Sequence, residues 1–220
     1  MPPSFNPLYL GVEMLYTLLI FIFCFLIYYR TREIYNLTKH KGIQYFRYAF
    51  MFFGLAYASR LFLFLIIFWT DNMLGPHMGC MALMPTSNLV VAFFSTMAIL
   101  YLAYSTIWKN VESEHFLTFA NIIALFIAVI AFVSRSTLFL SFIQLILIIA
   151  AGLFIFRSHK HEKRRYGTKT LYMLIFVSWF FSLIVLQSRH FTPFEIKIVL
   201  QVVSIAAFLF IYLKVSKWVK

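Results

Sequence analysis

Polar residues are so sparse along this chain that its pattern is read from the interruptions. Apolar runs near the twenty residues that cross the hydrocarbon core of a bilayer recur seven times, at roughly 8–29, 46–69, 87–108, 115–134, 136–157, 169–189 and 194–214. The connections are short, and no Ser/Gly/Pro-rich linker divides the sequence. The expected organisation is one domain over residues 1–220: an all-α integral membrane protein, a bundle of seven transmembrane helices with no soluble domain. Every proline lies outside these runs, and Gly54 and Gly152 are nearly the only deep glycines. The helices should therefore be continuous, unlike the broken helices with which many transporters free backbone groups for a substrate.

Composition agrees. The chain is 63% hydrophobic and 12% charged, with a mean hydropathy of +0.88, whereas a soluble domain is about half apolar and a quarter charged. A multi-pass protein of the cell membrane is expected. The basic residues then set its orientation, because Lys and Arg beside short loops stay on the cytoplasmic side. Arg30, Arg32, Lys39, Lys41 and Arg47 follow the first run, and Arg157, Lys160, Lys163, Arg164, Arg165 and Lys169 follow the fifth. Lys214, Lys217 and Lys220 follow the seventh. The segment "MPPSFNPLYL" and the connection "TDNMLGPHMGCMALMPTSN" hold neither Lys nor Arg. The N-terminus is expected outside and the C-terminus in the cytoplasm. The net charge of +12 then faces anionic lipid headgroups at the cytoplasmic surface, and with no folded basic surface available a nucleic-acid partner is not expected.

The first run lacks a basic leader and a small-residue cleavage site, so it is expected to remain as an anchor. Trp69, Trp108 and Trp218 fall at run ends, at the headgroup level that indoles favour. Cys24 and Cys80 are expected at different depths, too far apart for a disulfide.

The candidate chemistry begins with Arg60, set inside "GLAYASRLFLFLIIFW". An intramembrane arginine costs at least a few kcal/mol and by default marks function. It lies about nine residues from the outer end of its run, about 13 Å deep, and Glu13 lies about five residues into the first run, about 8 Å deep. Neighbouring antiparallel helices bring such a pair within reach. The pair either fixes helix register or lines a polar cavity. Asn88, Thr96, Gln144, Gln187, Lys197 and Gln201 fall in the same outer half or near the midplane, as do Ser95 and Ser188. The inner half offers mainly Ser105, Thr106 and Asn121, with hydroxyls such as Ser178 and Ser182 that can bond their own helix backbone. This asymmetry predicts a pocket open to the outside and closed below by packed apolar side chains.

A second candidate site is the connection 70–86, which collects Met73, His77, Met78, Cys80, Met81 and Met84. Thioether, thiolate and imidazole are the donors that select copper(I). The same methionines serve equally as filler on irregular apolar surfaces, and no spacing motif decides between the two. Haem is not expected, because all six histidines fall in connections or at run ends. Retinal is not expected either, since Lys197 lies near the start of its run and the third run has no acid. No HExxH, GxSxG or Gly-rich phosphate loop is present, so no enzyme activity is indicated.

The seven-span, N-outside layout resembles the seven-helix sensor modules that precede histidine kinase domains, a likeness of layout that carries no function. The expected role is a receptor-like or accessory subunit, binding a small ligand, lipid or metal in its outer pocket. It would act through a protein partner on the basic segments 30–47 and 157–169, or as part of an oligomer. The alternative is a small channel or carrier, anion or proton linked, which needs polar residues continuing to the inner face. Orientation is directly testable: a reporter fused after Lys220 should stay with the cytoplasm, and an epitope ahead of Met1 should be cleaved by protease added to intact cells.

Overall fold

The computed structural model describes residues 7–74, 78–108, 113–134, 137–158, 174–182 and 194–217. These form seven helices and, among the described residues, no strand. In order they are α1 (Pro7–Thr38), α2 (Lys41–Leu74), α3 (Met78–Ile107), α4 (Ser113–Ser134), α5 (Thr137–Ser158), α6 (174–182) and α7 (Phe194–Ser216). Five of them, α1 to α4 and α7, contain stretches long and apolar enough to cross a membrane, and α5 carries a shorter apolar stretch, Leu138–Leu153. The expected all-helical membrane class is the one observed.

Several helices run past the boundaries expected from hydropathy. α1 continues to Thr38 and α2 starts at Lys41, so the basic segment 30–47 is helical on both sides of Lys39 and His40 rather than a loop. Arg30 reaches Glu33 one turn on at 2.8 Å, and Thr31 and Thr38 donate to the carbonyls of Ile27 and Ile34. Polar side chains thus carry the helix beyond its apolar part, where bilayer thickness no longer limits it. The chain reverses at Lys39, whose φ of 51° is a left-handed cap. Its N–H donates to the Tyr35 carbonyl at 2.7 Å. Arg47 then clamps α2 to α1, donating to the Tyr28 hydroxyl at 2.9 Å with its guanidinium 4.5 Å from the ring centre. The connection 70–86 is likewise mostly helix, divided between the end of α2 and the start of α3.

Burial follows a narrow stripe on each outlying helix. In α1 the buried positions are Glu13, Tyr16, Thr17, Ile20, Cys24, Ile27, Thr31 and Ile34, the three-and-four spacing of a helix packed along one seam. In α7 they are Lys197, Gln201, Ser204, Phe208, Ile211 and Val215. The opposite faces expose residues as apolar as those buried, among them Leu15, Phe25 and Phe210. Lipid is as welcoming to Leu as a protein core is, so close packing and polar contacts decide which face turns inward. α4 shows the packing case: its buried seam is Ala120, Ala124, Ile127, Ala128 and Ala131, four of them small side chains that let backbones approach. α3 is the central helix, with 50% of its span buried against 28% for α4 and α7.

Aromatic rings fill the middle and one end. Phe53 of α2 stacks on Trp179 of α6 at 4.6 Å and on Phe208 of α7 at 5.7 Å. Tyr45, Tyr101, Tyr104 and Phe116 form a second cluster across α2, α3 and α4, with Tyr104 and Phe116 stacked at 3.8 Å. Two glycines allow close approach. A side chain at Gly54 would meet the Cβ of Cys24 at 3.3 Å, and one at Gly42 would meet Trp108 Nε1 at 2.9 Å and the Ser105 carbonyl oxygen at 3.0 Å.

Gly42→Ala should therefore lower the thermal midpoint of the detergent-solubilised protein, by a cost of about 1–3 kcal/mol for overpacking. Gly152→Ala is the control. Nothing lies within 4 Å of a Cβ there, so it should raise stability by up to about 1 kcal/mol through helix propensity.

Candidate functional site

The polar side chains buried by the seams of α1 and α7 meet those of α2 in the half of the bundle where α1 and α7 begin. Arg60 of α2 donates through Nη2 to Glu13 Oε1 of α1 at 2.5 Å, and Lys197 Nζ of α7 stands 3.7 Å from the same oxygen. Glu13 and Lys197 are 2% and 3% exposed, so one carboxylate is shared by two cations away from water. The Arg60 guanidinium also lies 5.3 Å from the centre of the Phe64 ring, a cation–π contact one turn along its own helix. Such a cluster is costly to assemble, and it persists only where each charge is met.

One turn further into the bundle is a hydroxyl cluster. Tyr16 of α1 donates to Ser182 of α6 at 3.3 Å and can accept from Ser204 of α7 at 3.2 Å, while Ser182 and Ser204 are 3.1 Å apart. Tyr57 packs edge-on against Tyr16, with ring centres 6.2 Å apart.

Beside these two clusters lies a cleft between α2, α3, α5 and α6, with a volume of about 50 Å³. Its polar lining is Tyr57, Arg60, Ser95, Gln144, Trp179 and Ser182, and the remainder is apolar, including Phe53, Ile99 and Ile148. Gln144 of α5 donates its amide to the Ser95 hydroxyl, and Ser95 donates to the Val91 carbonyl at 2.6 Å. That volume admits about three or four water molecules, or a small organic group. Arg60 thus pairs with Glu13 and lines the cleft at once.

The remaining residues of the predicted site divide. Lys197 joins the charged cluster and Gln144 the cleft. Thr96 and Gln201 are buried, and their Oγ1 and Nε2 have no hydrogen-bond partner among the described residues. Asn88 is half-buried and is not part of the cleft wall. Gln187 lies outside the described residues, as do His77 and the side chains of Met73, Met78, Cys80, Met81 and Met84. The copper(I) candidates stand on the helical ends of α2 and α3 or between them, and the structure describes no ligand geometry for them.

Over 224 aligned residues the chain is 33% identical to an uncharacterized protein of Archaeoglobus fulgidus, and the match takes in 98% of this chain and 96% of that one. The chain belongs to the same family as that protein. No family model matches, and no solved structure does.

Sequence reasoning missed four participants and misplaced one. Tyr16, Tyr57, Trp179 and Ser204 are apolar enough, or common enough in helices, to pass as filler. The available signal for Trp179 was its position, since it falls inside a run while Trp69, Trp108 and Trp218 mark run ends. Ser182, grouped with the inner-half hydroxyls, does bond its own backbone at Ser178, yet it also reaches Tyr16 and Ser204 and lines the cleft.

Arg60→Ala leaves Glu13 with only the longer contact to Lys197 among the described cations, and the expected loss of stability is about 3 kcal/mol. Glu13→Ala should cost a comparable amount, and the double variant distinctly less than the sum. Denaturation in mild detergent reads all three, and strictly additive losses would show that the pair carries no coupling.

Proposed function

We propose that all seven helices cross the membrane with the N-terminus outside, and that the protein is a receptor-like or accessory subunit whose cleft binds a small ligand. The observation that carries this reading is Arg60: a cation inside a membrane span that both pairs with a carboxylate and lines a cleft. Thr96, Ser141, Trp179 and Gln201 carry buried polar atoms without partners among the described residues, and Trp179 lines the cleft itself. Each costs about 1–3 kcal/mol if left unmet, which favours a site that meets a ligand over one that merely glues helices.

The channel or carrier reading has less support. Beyond the hydroxyl cluster the centre of the bundle is the stack of Phe53, Trp179 and Phe208, and the far end is filled by Tyr45, Tyr104 and Phe116. Rings packed in this way offer an ion no succession of polar groups to follow. A subunit that binds a ligand must pass the event on, and the helical segment 30–47 with its basic side chains is the surface proposed to meet a protein partner.

Affinity purification of the tagged protein from its native membranes in mild detergent tests the role. A stoichiometric protein with a signalling, catalytic or transport domain is the expected result. Recovery of the chain alone, together with ion flux through liposomes that contain it, would overturn the accessory-subunit reading in favour of a conduit.

A further inference from the structure

We propose that the cleft is built for a short-chain monocarboxylate, its carboxylate held by Arg60 and the Trp179 N–H and its alkyl end lying on Phe53, Ile99 and Ile148. This inference rests on the ligand-binding reading and names the chemical class it serves.

Two side chains of the cleft's polar wall, Arg60 and Trp179, can only donate. A guanidinium offers five N–H groups and accepts nothing, and an indole offers one N–H and accepts nothing. Arg60 commits Nη2 to Glu13. Trp179 is 1% exposed and lines the cleft, and its Nε1 has no acceptor among the described residues. The other polar groups are mixed: Gln144 donates to Ser95 and keeps its carbonyl oxygen, and Ser95 and Ser182 direct their protons to the backbone carbonyls of Val91 and Ser178 and keep lone pairs. Arg60 and Trp179 can only donate, and a ligand head that accepts from both matches them.

Charge points the same way. Glu13 is divided between Arg60 and Lys197, so the guanidinium at the cleft has no carboxylate to itself. In a water-poor site that favours an anion, and the planar fork of Arg suits a carboxylate in particular. Size and lining restrict the rest. About 50 Å³, the room of about three or four waters, takes the carboxylate head and the first carbon or two, so only a short chain can follow it, and the aromatic and branched aliphatic wall suits an alkyl end rather than a second charge.

Trp179 itself reports occupancy. The protein in phosphatidylcholine nanodiscs is titrated with butyrate, butanamide and butylamine at constant ionic strength, and the tryptophan fluorescence of the wild type is compared with that of Trp179→Phe. Butyrate should give a saturable change that the Trp179→Phe protein lacks, while butylamine gives none. Arg60→Gln should weaken butyrate binding about tenfold or more, the loss of one charged hydrogen bond, and Arg60→Lys should weaken it less. Because Arg60→Gln also removes a partner of Glu13, folding of both variants is checked by thermal unfolding, and Arg60→Lys keeps the charge should Arg60→Gln fail to fold. A saturable response to butanamide or butylamine in place of butyrate would overturn the acid assignment while leaving a ligand-binding cleft. No saturable response to any of the three would overturn both.

Discussion

The contact on which the arrangement of this bundle depends is the sharing of Glu13 between Arg60 and Lys197. It joins α1, α2 and α7 at one level in a structure whose helices are largely apolar on both their buried and their exposed faces. Apolar packing alone is permissive in a membrane, because a leucine turned to lipid loses little against one turned inward. A buried carboxylate has no such freedom. Its charge must be met, and the two cations that meet it specify both the rotation of three helices and their relative depth.

From that level the structure grades from polar to aromatic. The charged cluster is followed by the hydroxyls of Tyr16, Ser182 and Ser204, then by the stack of Phe53, Trp179 and Phe208. Next to the reversing turn at Lys39, aromatic rings take over, with Arg47 laid across Tyr28. Small residues do complementary work where no polar contact is present. The alanine seam of α4 and the meeting of Gly54 with Cys24 let backbones approach closely enough for dispersion to hold them.

The cleft lies beside the charged and hydroxyl clusters, sharing Arg60 and Ser182 with them. α2, α3, α5 and α6 converge there with polar groups of unequal satisfaction, and the unevenness separates it from the neighbouring hydroxyl cluster, whose members answer one another. Shared ancestry with the Archaeoglobus fulgidus protein over nearly the whole of both chains indicates that the bundle as a unit, rather than some fragment of it, is what has been inherited.

Much of this was legible in the sequence. Helix class follows from apolar runs of bilayer length, since in hydrocarbon a helix satisfies its own backbone. The pairing of Glu13 with Arg60 follows from depth, because the rise of a helix converts sequence position into height and the cost of an unmatched charge limits the partners. Two things were decided only by tertiary structure. The first is helix rotation: with Leu15 and Phe25 exposed and Ile20 and Ile27 buried on one helix, the hydrophobic pattern has no direction to reveal. The second is which side chains meet: Lys197, already a candidate, shares the Glu13 carboxylate, while Trp179 and Tyr16 went unrecognised and Ser182 was grouped with the hydroxyls that bond their own backbone. Whether a tryptophan or a serine inside a span is filler or function depends on what stands opposite it, and that is settled by the packing of neighbouring helices rather than by its own segment.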